Sequence, residues 1–155
     1  TLISAYGQLG QVDHVIYIFS RMIELCIEPD AATFTILLNA CSHGGLVDTG
    51  YMCFEHMILD IGITPTLEHY SCMVDMLGRA GQLDKVVAIV EHMPLLPNRV
   101  IWSTILGACR NRGNMMVGGR AFVYVLGLDD EDVASYISMS NIYAYSDIVN
   151  QCILH

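Results

Sequence analysis

The sequence predicts an all-α fold, a solenoid of stacked helical hairpins, and three recurring features support this prediction. The first is a turn that returns three times with small changes and a fourth time in looser form: Gly10-Gln11-Val12-Asp13, Gly45-Leu46-Val47-Asp48, Gly81-Gln82-Leu83-Asp84 and Gly113-Asn114. The second is an aromatic residue that recurs with a similar period, Phe34, Tyr70, Trp102 and Tyr136, the first three of which precede a glycine of this turn. The third is a methionine and then a proline after each of the first three glycines: Met22, Met57 and Met93, with Pro29, Pro65 and Pro97. A period of about 35 residues is typical of stacked two-element units.

Each unit is predicted to begin with an amphipathic helix that ends at the recurring glycine. In the second unit, Phe34, Leu37, Leu38 and Cys41 share one face at helical spacing. Gly45 then ends the helix, because glycine adopts the left-handed cap conformation at little cost.

A second helix is predicted to follow the turn, from near Leu46 to about Leu59. The segment Gly62-Ile63-Thr64-Pro65 ends it, since proline cannot continue a helix and restrains the residue before it. Small residues lie where paired helices would touch, so we expect close helix approach at these positions: Ala5, Ala40, Ala108, Gly50 and Gly118. We expect Trp102 in the core, because it takes the same repeat place as Phe34.

The same pattern fits the rest of the chain. Residues 1–30 form a unit that lacks its first few residues, so we expect that the natural N-terminus is missing. Residues 67–98 and 99–132 form two more units, and residues 133–144 form the first helix of a fifth, after which the pattern is lost. The acidic run 129–132 can cap that helix; a partner-binding acidic patch is the alternative.

Composition limits the possible functions. Of the 155 residues, 54% are hydrophobic and 15% are charged, which argues against disorder. No apolar run approaches the roughly 18 residues of a membrane span, so no membrane association is expected, and no signal or transit peptide is visible. The net charge of −9 argues against a strong electrostatic hold on nucleic acid.

The six cysteines form no CxxC pair and show no zinc spacing. Most of them lie among apolar neighbours at helical positions, so we expect buried, reduced thiols.

The units resemble pentatricopeptide repeats in their turn, in the late methionine of the second helix and in the Gly-Ile-x-Pro ending. Two stretches are close to the plant-type proteins that mix long and short repeats: Leu38-Asn39-Ala40-Cys41-Ser42-His43-Gly44-Gly45-Leu46-Val47 and His69-Tyr70-Ser71-Cys72-Met73-Val74-Asp75-Met76-Leu77-Gly78-Arg79-Ala80-Gly81. In that class the units resemble, in order, a truncated standard repeat at 1–30, a long repeat at 31–66, a short repeat at 67–98, a first extension motif at 99–132, and a partial second extension motif with a degenerate tail at 133–155.

The resemblance implies a right-handed superhelix of helical hairpins that binds single-stranded RNA sequence-specifically in mitochondria or chloroplasts. Members with extension motifs mostly specify sites of cytidine-to-uridine editing. The expected partners are therefore organellar RNA and, acting in trans, deaminase-bearing proteins or multiple organellar editing factors. A mitochondrial location is the first expectation and a chloroplast location is the alternative.

The family recognises bases with two polar positions, the residue after the aromatic and the last residue of the repeat. These positions are Thr35 and Thr66 in the long repeat, Ser71 and Asn98 in the short repeat, and Asp30 in the first unit. By resemblance, the serine–asparagine pair prefers adenine, and aspartate at the last position prefers uridine or guanine. The alternative is that Thr35 and Ser71 are ordinary helix-surface hydroxyls.

The sandwiching position near the start of the first helix is Ala32 in the long repeat and Glu68 in the short repeat. Glu68 departs from the apolar residue that is usual there.

Catalytic chemistry is not expected in this chain. A zinc deaminase needs HxE and CxxC ligand motifs, and the sequence has neither. No phosphate-binding loop or nucleophile elbow is present, so we predict a non-enzyme without metal or cofactor, and an editing deaminase would act in trans. His56 and His92 follow glutamates at matching positions, and we expect both at the surface.

Four of the seven basic residues fall in or near the extension motifs: Arg99, Arg110, Arg112 and Arg120. They could face RNA phosphate or an acidic partner, or form a solvated face. The alternative function is a structural one, a component of an organellar ribonucleoprotein held by protein contacts.

Overall fold

The structure, a computed structural model, describes Ile3, Tyr6 and residues 11–110, 114–128 and 133–153. Side chains are described for these residues except Leu128 and those after Tyr145. Every regular element in these ranges is a helix, so the all-α prediction is confirmed. The helices are α1 (Val12–Glu24), α2 (Ala31–Gly44), α3 (Val47–Leu59), α4 (Leu67–Arg79), α5 (Leu83–His92), α6 (Arg99–Arg110), α7 (Met115–Leu128) and α8 (Val133–Ile153).

The turns predicted at the recurring glycines are confirmed wherever the structure describes them. Gly45 follows α2 with φ of 68° and Gly81 follows α4 with φ of 74°. This left-handed conformation is strained for residues with a side chain, which explains why glycine returns at the same place. Gly10 and Gly113 lie outside the described residues, as do Arg112 and the acidic run 129–132.

The chain divides into two compact units, residues 1–80 and residues 81–155. In the first unit α2 packs against α1, α3 and α4, and α3 also packs against α4. One buried cluster of its core consists of Ile3, Val15, Phe34, Leu37, Ala40 and Met57.

In the second unit α6 packs against α5, α7 and α8, and α7 also packs against α8. Trp102 on α6 is only 9% exposed, which confirms its predicted core position. Its ring stacks on Tyr124 of α7 with centroids 4.2 Å apart and an interplanar angle of 3°. One face of the indole is therefore occupied by a tyrosine of the same unit.

Two glycines allow the close helix approach predicted from their small size. A β-carbon added to Gly50 on α3 would lie 3.4 Å from the Cys41 Cβ and 2.7 Å from the Met76 Cε. One added to Gly118 on α7 would lie 3.3 Å from the Cys109 Cβ and 2.8 Å from the Ile142 Cδ1. Both positions are buried, so larger residues there would force the helices apart.

Two predictions about elements were wrong. The last helix does not end near Ala144 but continues to Ile153, because neither glycine nor proline interrupts the sequence between 133 and 153. His56 is half-buried rather than a surface residue, with its ring 6.2 Å from the Phe34 ring and 6.4 Å from the Phe19 ring. The side of α3 that carries His56 faces these aromatic residues.

The described cysteines are free thiols: Cys26, Cys41, Cys53, Cys72 and Cys109. Among the helices of the described ranges, none combines the length and the apolar character that crossing a membrane would require.

Candidate nucleic-acid interface

Three of the five predicted RNA-contacting residues occupy the same structural position in successive repeats. Asp30, Thr66 and Asn98 are the residues that immediately precede α2, α4 and α6. All three are exposed. The last residue of each predicted repeat therefore stands at the N-terminus of the next repeat's first helix, where polar side chains are favoured because they satisfy free backbone N–H groups.

Asp30 caps α2 through one of its two carboxylate oxygens. Its Oδ1 accepts hydrogen bonds from the Thr33 backbone N–H and from the Thr33 hydroxyl, both at 2.8 Å. These bonds, first that from the backbone, hold the pKa of the Asp30 carboxyl below its usual value. Because both bonds use Oδ1, the other oxygen of this exposed side chain remains available as a hydrogen-bond acceptor.

Asn98 caps α6 in the same way, with the Ile101 backbone N–H donating to its Oδ1 at 3.1 Å. This bond assigns the orientation of the side-chain amide, since only its oxygen can accept. The NH₂ group of Asn98 then points away from the helix end. Asp30 thus offers an acceptor where Asn98 offers a donor.

Thr66 and Thr35 differ from these two residues, because both contact the side chain of His69. The Thr66 Oγ1 lies 3.0 Å from the His69 Nδ1, and the Thr66 backbone N–H donates to the same nitrogen at 3.0 Å. The half-buried Thr35 on α2 has its Oγ1 3.1 Å from the His69 Nε2, and this nitrogen lies 2.9 Å from the Ala31 carbonyl oxygen. We call Ala31, Thr35, Thr66 and His69 the His69 cluster.

Sequence analysis did not identify His69 as a functional candidate. It lies three residues after Thr66, which is the position where Glu or Gln completes a capping box. A histidine at this capping-box position was the sequence feature that could have indicated a role for His69. Its contacts with Ala31 and Thr35 cross from α4 to α2, and nothing in the local sequence indicates them.

Ser71 is half-buried on α4 and follows Tyr70, whose ring packs edge-on against Phe54 with centroids 5.6 Å apart. Ser71 belongs to the first compact unit and Asn98 to the second, and the two units are described separately. That these two residues contact one base stays a prediction.

The two predicted sandwiching residues, Ala32 and Glu68, are both exposed. Each is the second residue of its helix, α2 and α4 respectively. They lie two residues after the caps Asp30 and Thr66, on the same helix ends.

The described basic residues of the predicted extension motifs are Arg99, Arg110 and Arg120. Arg99 and Arg110 are the first and last residues of the 12-residue helix α6, which places their backbones roughly 16 Å apart along the axis. Arg120 on α7 pairs with Glu91 at 3.4 Å. No group of three metal-binding side chains lies together within the described residues.

Two models of sequence families match the chain. One, described as the PPR repeat family, matches residues 1–43, and the other, described as the PPR repeat, matches residues 32–60 and 68–95. Together they cover more than half of the sequence, and the chain belongs to the pentatricopeptide repeat family.

Individual relatives come from Arabidopsis thaliana. A pentatricopeptide repeat-containing protein is 44% identical over 144 residues, 93% of this chain and 18% of that protein. A second, named as mitochondrial, is 41% identical over 150 residues, 97% of this chain and 24% of that protein. The chain therefore spans about a fifth of the length of these relatives.

Solved structures of pentatricopeptide repeat proteins are similar to this chain in fold. The crystal structure of the pentatricopeptide repeat protein PPR10 in complex with an 18-nt psaJ RNA element matches with a TM-score of 0.84 and 25% identity, over 93% of this chain and 22% of that one. The pentatricopeptide repeat domain of Arabidopsis thaliana protein-only RNase P 1, in complex with tRNA, matches with a TM-score of 0.72 over 98% of this chain and 83% of that one. Its identity of 13% shows the fold alone.

Proposed function

We propose that this chain is the RNA-recognition part of a pentatricopeptide repeat protein that binds single-stranded RNA in a sequence-specific manner. The observation that carries the proposal is the equivalent helix-cap position of Asp30, Thr66 and Asn98, all exposed at the start of a first helix. The likeness to PPR10, whose structure contains RNA, supports the same function.

The caps provide a physical basis for base discrimination. Capping engages Oδ1 of each of these exposed residues, so the remaining side-chain atom is an acceptor oxygen in Asp30 and a donor NH₂ in Asn98. On the Watson–Crick edge, uracil and guanine carry a ring N–H, whereas cytosine and adenine carry a ring lone pair at the same place. Asp30 therefore suits uracil or guanine, and Asn98 suits adenine or cytosine.

Within RNA metabolism, we propose that the protein specifies cytidine-to-uridine editing sites and that a partner supplies the deaminase in trans. The order of repeat types and extension motifs in the sequence supports this role. The mitochondrion is the first location to test, since one relative is named as mitochondrial, and the chloroplast is the alternative.

A reciprocal exchange tests base recognition. Asp30→Asn and Asn98→Asp keep a good N-cap in each position, so both variants should remain folded. Affinity is measured for single-stranded RNAs that differ at one nucleotide at a time. Each exchange should shift the preference at one nucleotide, Asp30→Asn from uracil to cytosine and Asn98→Asp from adenine to guanine, by roughly three- to tenfold.

Unchanged preference in both folded variants would contradict recognition by these caps. An unchanged chain that binds no RNA at moderate salt would contradict RNA binding itself.

A structural role is the second candidate, and an exposed apolar surface favours it. A groove of about 530 Å³ between α1 and α3 is lined by Phe19, Met52, Cys53, His56 and Leu59, among other residues. Met52 and Leu59 are 70% and 78% exposed. If this groove binds a protein partner and the chain binds no RNA, Met52→Glu should abolish co-purification with the ribonucleoprotein while leaving the fold intact.

A further inference from the structure

His69 occupies the centre of a hydrogen-bonded cluster that contains both predicted base-contacting residues of the long repeat. Its side chain is 1% exposed. Nδ1 faces Thr66, the last residue of the long repeat, and Nε2 faces Thr35 and the Ala31 carbonyl. A residue of the short repeat thus joins two residues of the preceding repeat.

The partners of His69 assign the state of its ring. The Ala31 carbonyl oxygen can only accept, so the Nε2 at 2.9 Å must carry a proton. The Thr66 backbone N–H can only donate, so the Nδ1 at 3.0 Å must present its lone pair. Both requirements are met by one tautomer, neutral with the proton on Nε2.

This tautomer determines what the two hydroxyl groups can offer to a ligand. The Thr66 hydroxyl, 3.0 Å from Nδ1, faces a ring lone pair that it shares with the Thr66 backbone N–H, so it donates its proton there, while its oxygen accepts from the His69 backbone N–H in a capping box. The Thr35 hydroxyl donates to the Ala31 carbonyl oxygen at 3.1 Å. Both protons are therefore used inside the protein, and only oxygen lone pairs remain.

We propose that His69 is a positioning residue for RNA recognition, which leaves the hydroxyl of the exposed residue Thr66 able only to accept a hydrogen bond from a base. A free threonine hydroxyl can donate or accept a hydrogen bond. It therefore discriminates poorly between a base with a ring N–H and a base with a ring lone pair. With its proton held by His69, Thr66 acts as Asp30 does and selects uracil over cytosine. This inference rests on the proposed RNA-binding function.

Two substitutions separate the two halves of the cluster. In His69→Asn, the amide oxygen takes the place of Nδ1 and continues to accept from Thr66, while the donor to Ala31 is lost. In His69→Gln, the longer side chain places its NH₂ near the position of Nε2, and the acceptor for Thr66 is lost. His43→Gln, at an exposed histidine of the same compact unit, is the matched control.

The experiment compares the affinities of the four proteins, unchanged chain included, for single-stranded RNAs in which single uracils are replaced by cytosine along the strand. At the nucleotide that Thr66 contacts, the unchanged chain, His43→Gln and His69→Asn should prefer uracil by about three- to tenfold, in addition to the preference set by Asp30. His69→Gln should lose that preference, because the released Thr66 hydroxyl can donate to the cytosine lone pair.

Retention of the preference in His69→Gln would overturn the inference, and so would an equal loss in His69→Asn and His69→Gln. If the chain binds with preferences elsewhere but none depends on His69, only this inference fails. Absence of RNA binding by the unchanged chain overturns the proposed function and this inference together.

The ring state is measured without RNA. The ¹⁵N shifts of the His69 imidazole in the unchanged chain should show a protonated Nε2 and an unprotonated Nδ1. The opposite tautomer would overturn the inference even if the substituted proteins fail to fold.

Discussion

Asp30 is an exposed residue whose carboxylate caps α2 through Oδ1 alone, which leaves a second oxygen that can accept a hydrogen bond. The cap restricts the side chain to one orientation before any ligand arrives. Less rotational freedom is then lost on binding, because the folding of the helix has already ordered the group. A helix end is thus a suitable support for a single base-contacting residue.

Removal of the Asp30 side chain should destabilise the first compact unit. We expect Asp30→Ala to lower the free energy of unfolding by about 1 kcal/mol at pH 7, the usual cost of losing an N-cap. Asp30→Asn, which keeps an accepting oxygen, is the matched control and should lose much less. Urea titration followed by circular dichroism measures both.

The same residue gives a pH dependence. Folding lowers the pKa of the Asp30 carboxyl from its ordinary value of 3.8. The ionised carboxylate therefore stabilises the protein fully at pH values above 3.8. This stabilisation is lost as the pH falls through the lowered pKa. The stability of the unchanged chain relative to Asp30→Asn should therefore fall below about pH 4 and stay constant above it; a difference that grows on acidification would contradict the assignment.

The cysteines should differ sharply in reactivity. Burial, with the negative charges of Asp75 and Glu68, raises the pKa of the Cys72 thiol to about 11, and burial raises that of Cys109 to about 11. Cys26 is exposed. At pH 7.5 an alkylating reagent should modify Cys26 long before Cys72 or Cys109, because the thiolate is the reactive form.

Peptide mass spectrometry after timed alkylation gives the order of modification. Equal rates for Cys26 and Cys72 in the folded chain would contradict the burial of Cys72, whereas equal rates in urea are expected and serve as the control.

At the level of helix pairs, two adjacent glycines of α7 provide a direct comparison. Gly118→Ala would place a methyl group 2.8 Å from Ile142 and 3.3 Å from Cys109, and we expect a loss of about 1–3 kcal/mol in stability from overpacking. At Gly119 the nearest side-chain atom is the Met139 Cε at 3.9 Å. Gly119→Ala should be neutral or stabilising by up to about 1 kcal/mol, since alanine favours the helix.

Thermal unfolding of the two variants measures the difference. Gly119→Ala is the control for the effect of replacing glycine by alanine within α7. Similar losses of stability in both variants would mean that close helix contact does not explain the glycine at position 118.

The elements that sequence predicted correctly depend on local rules. Gly45 and Gly81 were predictable because a left-handed turn favours glycine, and Trp102 because it repeats the place of Phe34. His69 was not predictable, because its contacts with Ala31 and Thr35 span 38 and 34 residues. The burial of His56 depends in the same way on rings from two other helices.

The five candidate residues show the same division. Their positions follow from repeat spacing, and the caps made by Asp30 and Asn98 agree with ordinary helix-start chemistry. Repeat spacing does not specify atomic geometry. It therefore could not predict which side-chain atom of Asp30 or Asn98 caps a helix, or that His69 links Thr66 to Thr35. The partners of Ser71 and its relation to Asn98 stay predictions.

For the whole molecule, charge sets the expected mode of RNA binding. The net charge is −9, and among the described basic residues Arg21, Arg79 and Arg120 pair with carboxylates. The separation of Arg99 from Arg110 along α6 further limits contact with neighbouring phosphates. In the proposed RNA complex, affinity must then come mainly from base contacts rather than from phosphate neutralisation.

This balance predicts a weak salt dependence. For single strands the logarithm of the binding constant falls with the logarithm of salt concentration at a slope of about −0.7 for each phosphate contact. With one or two such contacts, we expect a slope of about −1 between 50 and 200 mM salt. Fluorescence anisotropy with a labelled RNA measures the slope at pH 8, where histidines contribute little charge. Arg110→Gln should make the slope shallower if this residue contacts a phosphate, and Lys85→Gln in the same compact unit is the comparison. A slope steeper than about −3 would require more than four phosphate contacts and would contradict a binding mode dominated by base contacts.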